Sequence, residues 1–290
     1  MKDHSIPIVV GPGSQPADSD GAEMDFMQMP SGMMTYTQPI IPEPEEITGL
    51  DQALLLSNKL LGILSKFKVG DETQVIELNG LDKKNKEFFD HLLGEGEVSV
   101  QFNTEPNSKN PGALIQESVL AGVWRVQYIN EDEKIISDTI EVGIIPDIVD
   151  KLTFETAAEN IEIDEKNIPE SVYNAPPLLA EIKDKLPEYK VGEEPHVINL
   201  SLLPHTESDL IYLSEQLGIG PIIILSRGYG NCRISSTATR NVWWVQYFNS
   251  QETLILNTLE VSKVPEVACA SQEDIDDSAD RLLEILAIYK

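Results

Sequence analysis

The sequence predicts an α+β fold: a tandem pseudo-repeat of a helix–strand–helix unit followed by antiparallel strands, behind a flexible N-terminal segment. Three observations predict it. Short strings recur in the same order in the two halves of the chain. Strand-like alternation follows the helical stretches in each half, the pattern of α+β domains with antiparallel sheets. Proline, glycine and methionine crowd the first 47 residues.

That opening stretch, residues 1–47, holds Gly11-Pro12-Gly13, Pro16, Gly21, Pro30, Gly32, Pro39, Pro42 and Pro44, a density that breaks both helical and strand periodicity. Five methionines lie between Met24 and Met34. Methionine is flexible and polarizable, so the segment reads either as a passive leader or as one that orders on a partner. Beyond Thr48, Leu50, Leu54, Leu60, Leu61 and Leu64 recur at helical spacing and predict a helix to about Lys66. A short strand follows at Val75–Leu78. Asp82 is placed to cap a second helix with Phe88, Phe89, Leu92 and Leu93 on one face, ended by Gly94-Glu95-Gly96. Strands are expected at Val98–Phe102, Val123–Ile129 and Ile135–Val142, with Ala113–Leu120 as a further strand candidate, and Pro146 closes the unit.

The second half repeats these strings. Phe67-Lys68-Val69-Gly70 returns as Tyr189-Lys190-Val191-Gly192, and Val75-Ile76-Glu77-Leu78 as Val197-Ile198-Asn199-Leu200. Leu93-Gly94-Glu95-Gly96 matches Leu217-Gly218-Ile219-Gly220. Val123-Trp124-Arg125-Val126-Gln127-Tyr128 matches Val242-Trp243-Trp244-Val245-Gln246-Tyr247. The order is kept and the gaps are small. The units are thus residues 48–149 and 175–268, joined by an acidic linker over 150–174 and followed by a C-terminal helix over 269–290. Ser271 is placed to cap that helix, and Glu273, Asp274, Asp276 and Asp277 crowd its start, where the helix dipole favours anions. The copies either pack as a pseudo-symmetric pair or stand apart; the sequence does not choose between them.

The chain's 290 residues include 49 acidic and 21 basic ones, a formal net charge of -28. Such a charge repels a phosphate backbone and disfavours anionic membrane surfaces, so neither nucleic-acid binding nor membrane insertion is expected. It serves solubility, or it steers a basic partner. Cys232 and Cys269 are the only cysteines, too few for a disulfide framework or a cysteine-rich metal site. The apolar stretch Ile6–Val10 is too short for a signal peptide, so the expected location is cytoplasmic, with free thiols.

Chemistry is sparse. Gly94-Glu95-Gly96 and Gly228-Tyr229-Gly230 lack the third glycine and the Gly-Lys-Ser/Thr of a nucleotide loop, and read as turns. His4, His91, His196 and His205 have no ligand spacing, so no metal is expected. Arg227 and Arg233 flank Cys232, yet no histidine base is recognisable near it. The segment Ser226–Arg233 is still the one basic, glycine-rich stretch in an acidic chain, a hairpin connection or a contact surface. Carboxylates are too abundant to locate a paired-acid site. Trp124 and Trp243 read as core. Trp244 faces the opposite way by alternation, and is the better contact candidate.

The string Leu92-Leu93-Gly94-Glu95-Gly96-Glu97-Val98-Ser99-Val100, the early Gly11-Pro12-Gly13-Ser14-Gln15-Pro16, Gly228-Tyr229-Gly230 with Arg240-Asn241-Val242-Trp243, Val264-Pro265-Glu266-Val267 and the terminal Glu273–Ala279 segment resemble those of the HupH/HyaF hydrogenase expression/formation proteins. The resemblance implies a non-catalytic, chaperone-like accessory protein of NiFe hydrogenase maturation, without cofactor. It implies as partner a hydrogenase subunit precursor bound before assembly, and other maturation proteins besides. A metal or iron–sulfur carrier using Cys232, Cys269 and histidines is the alternative. The contact residues expected on this reading are Leu92, Gly94, Glu95, Gly96 and Glu97, then Arg227, Gly228, Tyr229, Gly230 and Arg233, and Trp244.

Overall fold

The computed structural model describes residues 48–103, 110–164, 166–228 and 230–289; the leader expected over 1–47 and the candidate Tyr229 lie outside them. Helix α1 (Asp51–Leu64), strand β1 (Gln74–Glu77) and helix α2 (Lys83–Leu93) lead into four strands, β2 (Val98–Phe102), β3 (Gly112–Glu117), β4 (Val123–Ile129) and β5 (Ile135–Val142), and a short α3 (Asp147–Leu152). Next come α4 (Ala175–Lys185), β6 (His196–Asn199), a 3-10 turn, α5 (Glu207–Leu217), then β7 (Ile222–Ser226), β8 (Asn231–Ser236), β9 (Val242–Phe248) and β10 (Leu254–Val261). A 3-10 turn at Glu266–Ala268 precedes α6 (Gln272–Ala287).

The strands form one antiparallel sheet in the order β1-β5-β4-β3-β2-β7-β8-β9-β10-β6. It is continuous because β2 pairs with β7, Val98 opposite Ser226, Val100 opposite Ile224 and Phe102 opposite Ile222. One face carries an apolar layer that crosses this joint, from Trp124 and Val126 through Val100 and Ile224 to Ile234 and Trp243, and packs against α3 and the 3-10 turn before α6. On the other face α1, α2 and α6 cover Val123, Ile140 and Val142, while α4 and α5 cover Val242, Trp244, Leu259 and Val261. Sheet and helices thus form three layers, and on the second face the two helix groups seal the flanks of the sheet.

This sealing corrects the expectation for Trp244. It does face away from Trp243, but it is 1% exposed, and its indole N–H donates to Asn257 Oδ1 at 2.6 Å. Alternation fixes which face a side chain takes, and α4 and α5 decide that this face is dry. The acidic connection after α3 is also anchored: Phe154 meets the Trp243 ring edge-on at 5.2 Å, and Ile161 and Val172 are buried under α4 and α5.

Local sequence explains the helix ends. Asp82 accepts from the Asn85 N–H, the cap its position suggested, and α2 stops at Gly94 with φ 53°. Thr206 and Asp209 form a capping box on α5. Asp209 also reaches α4, accepting from the N–H groups of Tyr173, Asn174 and Ala175 at 2.8, 2.7 and 3.0 Å. Asn85 does the corresponding work between α2 and α1, accepting from Ala53 N–H at 2.9 Å. Burial alone pushes the Asp209 carboxyl up, but hydrogen bonds from Thr206, Asn174 and Ala175 outweigh it and hold the group below the ordinary carboxylate range. No helix among the described residues is long and apolar enough to cross a membrane.

Asp209→Asn should lower stability at pH 7 by about 2 kcal/mol or more, since charge-assisted hydrogen bonds are the stronger kind. Because folding depresses this pKa, the wild-type advantage holds above about pH 4 and fades as pH falls through the folded-state value. Urea midpoints of both proteins at pH 7 and pH 3 check this; equal midpoints at pH 7 would show the clasp to be neutral.

Candidate functional site

Pairing of β2 with β7 sets two glycine-bearing segments side by side. Just before β2, Gly96 N–H donates to Glu117 O at 2.7 Å, and a Cβ on Gly96 would overlap the Ser118 carbonyl, so only glycine allows this approach of the chains. Just after β7, Arg227 N–H donates to Glu97 O at 3.1 Å. The Glu97 carboxylate lies over Gly228, where a Cβ would collide with it. Gly230 turns the chain into β8 with φ 101°. Of the residues expected from sequence, Gly94, Glu95, Gly96, Glu97, Arg227, Gly228 and Gly230 therefore stand at one end of the central strand pair, partly or fully exposed. Arg233 lies one strand further, half-buried and on the opposite face from Cys232. Leu92 does not join them. It is 1% exposed, on the face by which α2 packs into the helical layer, so its part in the motif is structural.

Two clefts, each of about 560 Å³, flank the β7–β8 hairpin. One is lined by Leu225–Arg227, Asn231–Arg233, Phe248 and Glu252. The other is walled by Gly96–Val98, Gly228, Val267 and, from α6, Asp274 and Arg281, with Glu117, Ser118 and Cys269 among its lining.

Sequence reasoning missed Glu117, and a signal for it was present. In β3, Ala113, Ile115 and Glu117 share a face, so alternation carries a carboxylate into line with apolar side chains. Glu117 is 8% exposed. Burial pushes its pKa up to about 7, the negative charges of Glu97 and Asp274 add to the effect, and backbone N–H groups of Gly122 and Val98 oppose it. The group therefore holds its proton over much of the range in which other carboxyls are charged.

The thiols have the opposite of an activated character. Burial pushes both Cys232 and Cys269 up to about 12, and Cys232 is hydrogen-bonded to the Tyr247 hydroxyl. Two of the histidines lie elsewhere: His196 Nε2 is 2.8 Å from Glu181, and His205 Nδ1 is 2.9 Å from the Leu203 carbonyl. Cys232, His196 and His205 do not converge. Among the described residues no three His, Cys, Asp or Glu side chains are grouped to hold a metal ion.

The raised pKa of Glu117 has a defined linkage. The folded state binds this proton more tightly than the unfolded chain, so its contribution to stability is full below about pH 4.5 and is lost as pH rises through about 7. Glu117→Gln should therefore stabilise the protein by about 3 kcal/mol at pH 8 and have little effect at pH 5. Thermal midpoints across this range read it out; a difference independent of pH would show that Glu117 does not titrate there.

A profile described as "HupH hydrogenase expression protein, C-terminal conserved region" matches residues 51–166 and again 172–289. The chain is 44% identical over 287 residues to the hydrogenase expression/formation protein HoxQ of Cupriavidus necator, covering 99% of this chain and 98% of that protein. It is 31% identical over 281 residues to the hydrogenase-1 operon protein HyaF of Escherichia coli K12, covering 96% and 94%. A solved structure, the hydrogenase expression protein HupH from Thiobacillus denitrificans, is 32% identical and covers 39% of this chain and 95% of that one, with a TM-score of 0.37. The family expected from the motifs is thus the one found: this chain belongs to the HupH hydrogenase expression/formation proteins.

Proposed function

We propose that this chain is a non-catalytic, cytoplasmic accessory protein of NiFe hydrogenase maturation that holds a hydrogenase subunit precursor before assembly. The observation that carries the reading is the junction of β2 and β7. The Gly94–Glu97 segment and Arg227, Gly228 and Gly230 meet there in a partly exposed, cleft-flanked surface. The relatives' names, hydrogenase expression/formation protein and hydrogenase-1 operon protein, supply the biological setting. The charge of -28 favours a partner with basic surface and makes association sensitive to salt. Arg227 and Arg233 add local positive charge that orients the partner on this surface, and the methionine-rich residues 1–47 supply adaptable contacts.

The same reading treats residues 48–149 and 175–268 as two copies of one unit, with 150–174 as their connection. The family profile matches twice, and the order of helices and strands recurs. On this reading the partner surface is created by joining the copies, since it draws on the ends of β2 and β7 together.

Affinity purification of the full-length protein, without oxygen and at low ionic strength, from cells producing the hydrogenase should recover a hydrogenase subunit in precursor form by mass spectrometry. Recovery should fall as salt is raised and fall severalfold for Arg227→Glu. Recovery of neither subunit at low salt would overturn the proposal.

A further inference from the structure

Glu117 and Ser236 occupy corresponding places at the ends of β3 and β8. In both places the residue's carbonyl accepts from an incoming glycine, Gly96 N–H on Glu117 at 2.7 Å and Gly220 N–H on Ser236 at 2.9 Å. In both the next residue closes the same turn with its hydroxyl, Ser118 Oγ donating to Leu120 O and Thr237 Oγ1 to Thr239 O. Ser236 meets the frame's needs with a hydroxyl, which accepts from Ile222 N–H at 2.9 Å. At Glu117 a carboxyl takes the place of that hydroxyl: it faces the matching Val98 N–H and also the Gly122 N–H of the turn, and it is buried to 8% exposure in the lining of a cleft.

That cleft combines two kinds of surface. Val98, Val119, Val267 and Ala270 give it apolar walls, and Glu97, Glu117 and Asp274 give it three carboxyls. None of the ion pairs among the described residues engages any of the three. An apolar sleeve with anionic groups beside it matches a side chain with an aliphatic stem and a cationic head. Taking a charge into such a place without a counterion is costly, and supplying one relieves the cost.

We propose that this cleft is a seat for one basic side chain of a bound partner protein, lysine or arginine, whose stem lies along Val98, Val119 and Val267 and whose charge meets Glu117, with Glu97 and Asp274 beside it. The inference rests on the reading that the β2–β7 junction faces the partner. Below about pH 7 Glu117 meets the cation as the neutral acid and releases its proton to solvent, so total charge at the seat is conserved. The groups facing Glu117 are Glu97 from the lead into β2, Cys269 from the turn before α6, and Asp274 and Arg281 from α6. Glu97 and Asp274 favour the incoming cation, the thiol is neutral, and Arg281 is the one lining charge that opposes it.

The test uses the full-length protein labelled with carboxyl-13C glutamate, and Nα-acetyl-lysine methylamide and Nα-acetyl-arginine methylamide as probes. At least one probe should shift the Glu117 resonance saturably and displace about one proton near pH 6.5. Binding should weaken about tenfold per pH unit below about 7, since proton and cation compete for one group. Glu117→Gln, a near-isostere of the protonated acid, should weaken binding at least tenfold while the far-ultraviolet spectrum and a cooperative melt show it folded. Glu260→Gln, in the other half, should leave binding unchanged. Equal binding of the uncharged acetyl-norleucine methylamide, or unchanged binding by Glu117→Gln, or the absence of saturation, would overturn the seat. If the subunit precursor still co-purifies while the probes fail to bind, the seat alone is wrong. If no precursor co-purifies yet the probes bind, the seat stands and its assigned partner falls.

Discussion

The hydrogen-bonded pairing of β2 with β7 is the constraint on which the molecule depends. Five residue pairs, from Val98 with Ser226 to Phe102 with Ile222, turn two five-stranded arrays into one sheet. The apolar layer behind the sheet runs without a break across the joint, so Val100 and Ile224 are packed by side chains from both halves. A chain joined in this way gains long-range contacts that neither half would have alone, and the helices on the opposite face remain divided into two groups around the joint.

The same pairing determines where the unusual chemistry sits. Antiparallel strands bring the start of one beside the end of the other, so the residues just before β2 meet those just after β7. Glycine is required on the β2 side because the Ser118 carbonyl occupies the space a Cβ would take, and a bare backbone at Gly228 leaves room for the Glu97 carboxylate. What looks in sequence like two separate turns is one surface in space. Its electrostatics follow first from burial: Glu117 is taken out of water, the charges of Glu97 and Asp274 add to the effect, and both favour a proton on Glu117.

Much of the fold was legible in the sequence. Helical spacing from Leu50 to Leu64, the Asp82 cap, and alternation in β2, β4 and β5 depend on local rules and held to within a few residues. The β2–β7 register was not legible, because Ile222-Ile223-Ile224-Leu225 is apolar at every position and alternation says nothing about such a run. Trp244 was assigned the correct face and the wrong surroundings, since cover by α4 and α5 is a tertiary fact. Leu92 was read as part of a contact motif because it adjoins Gly94-Glu95-Gly96, while its helical phase with Phe88 and Phe89 already placed it inside. Glu117 was hidden by numbers: among 49 acidic residues, one at an inward position stands out only when the strand's phase is followed to its last residue.

The way the sheet ends has a consequence for solubility. Two independent five-stranded arrays would expose four open edges, two of them along β2 and β7, whose apolar character makes them templates for unwanted strand addition. Joining those two strands to each other consumes both hazards. The edges that remain are β1 and β6, each four residues long, too short to nucleate extensive pairing with another chain. The architecture thus protects itself against aggregation by spending its stickiest strands on one another.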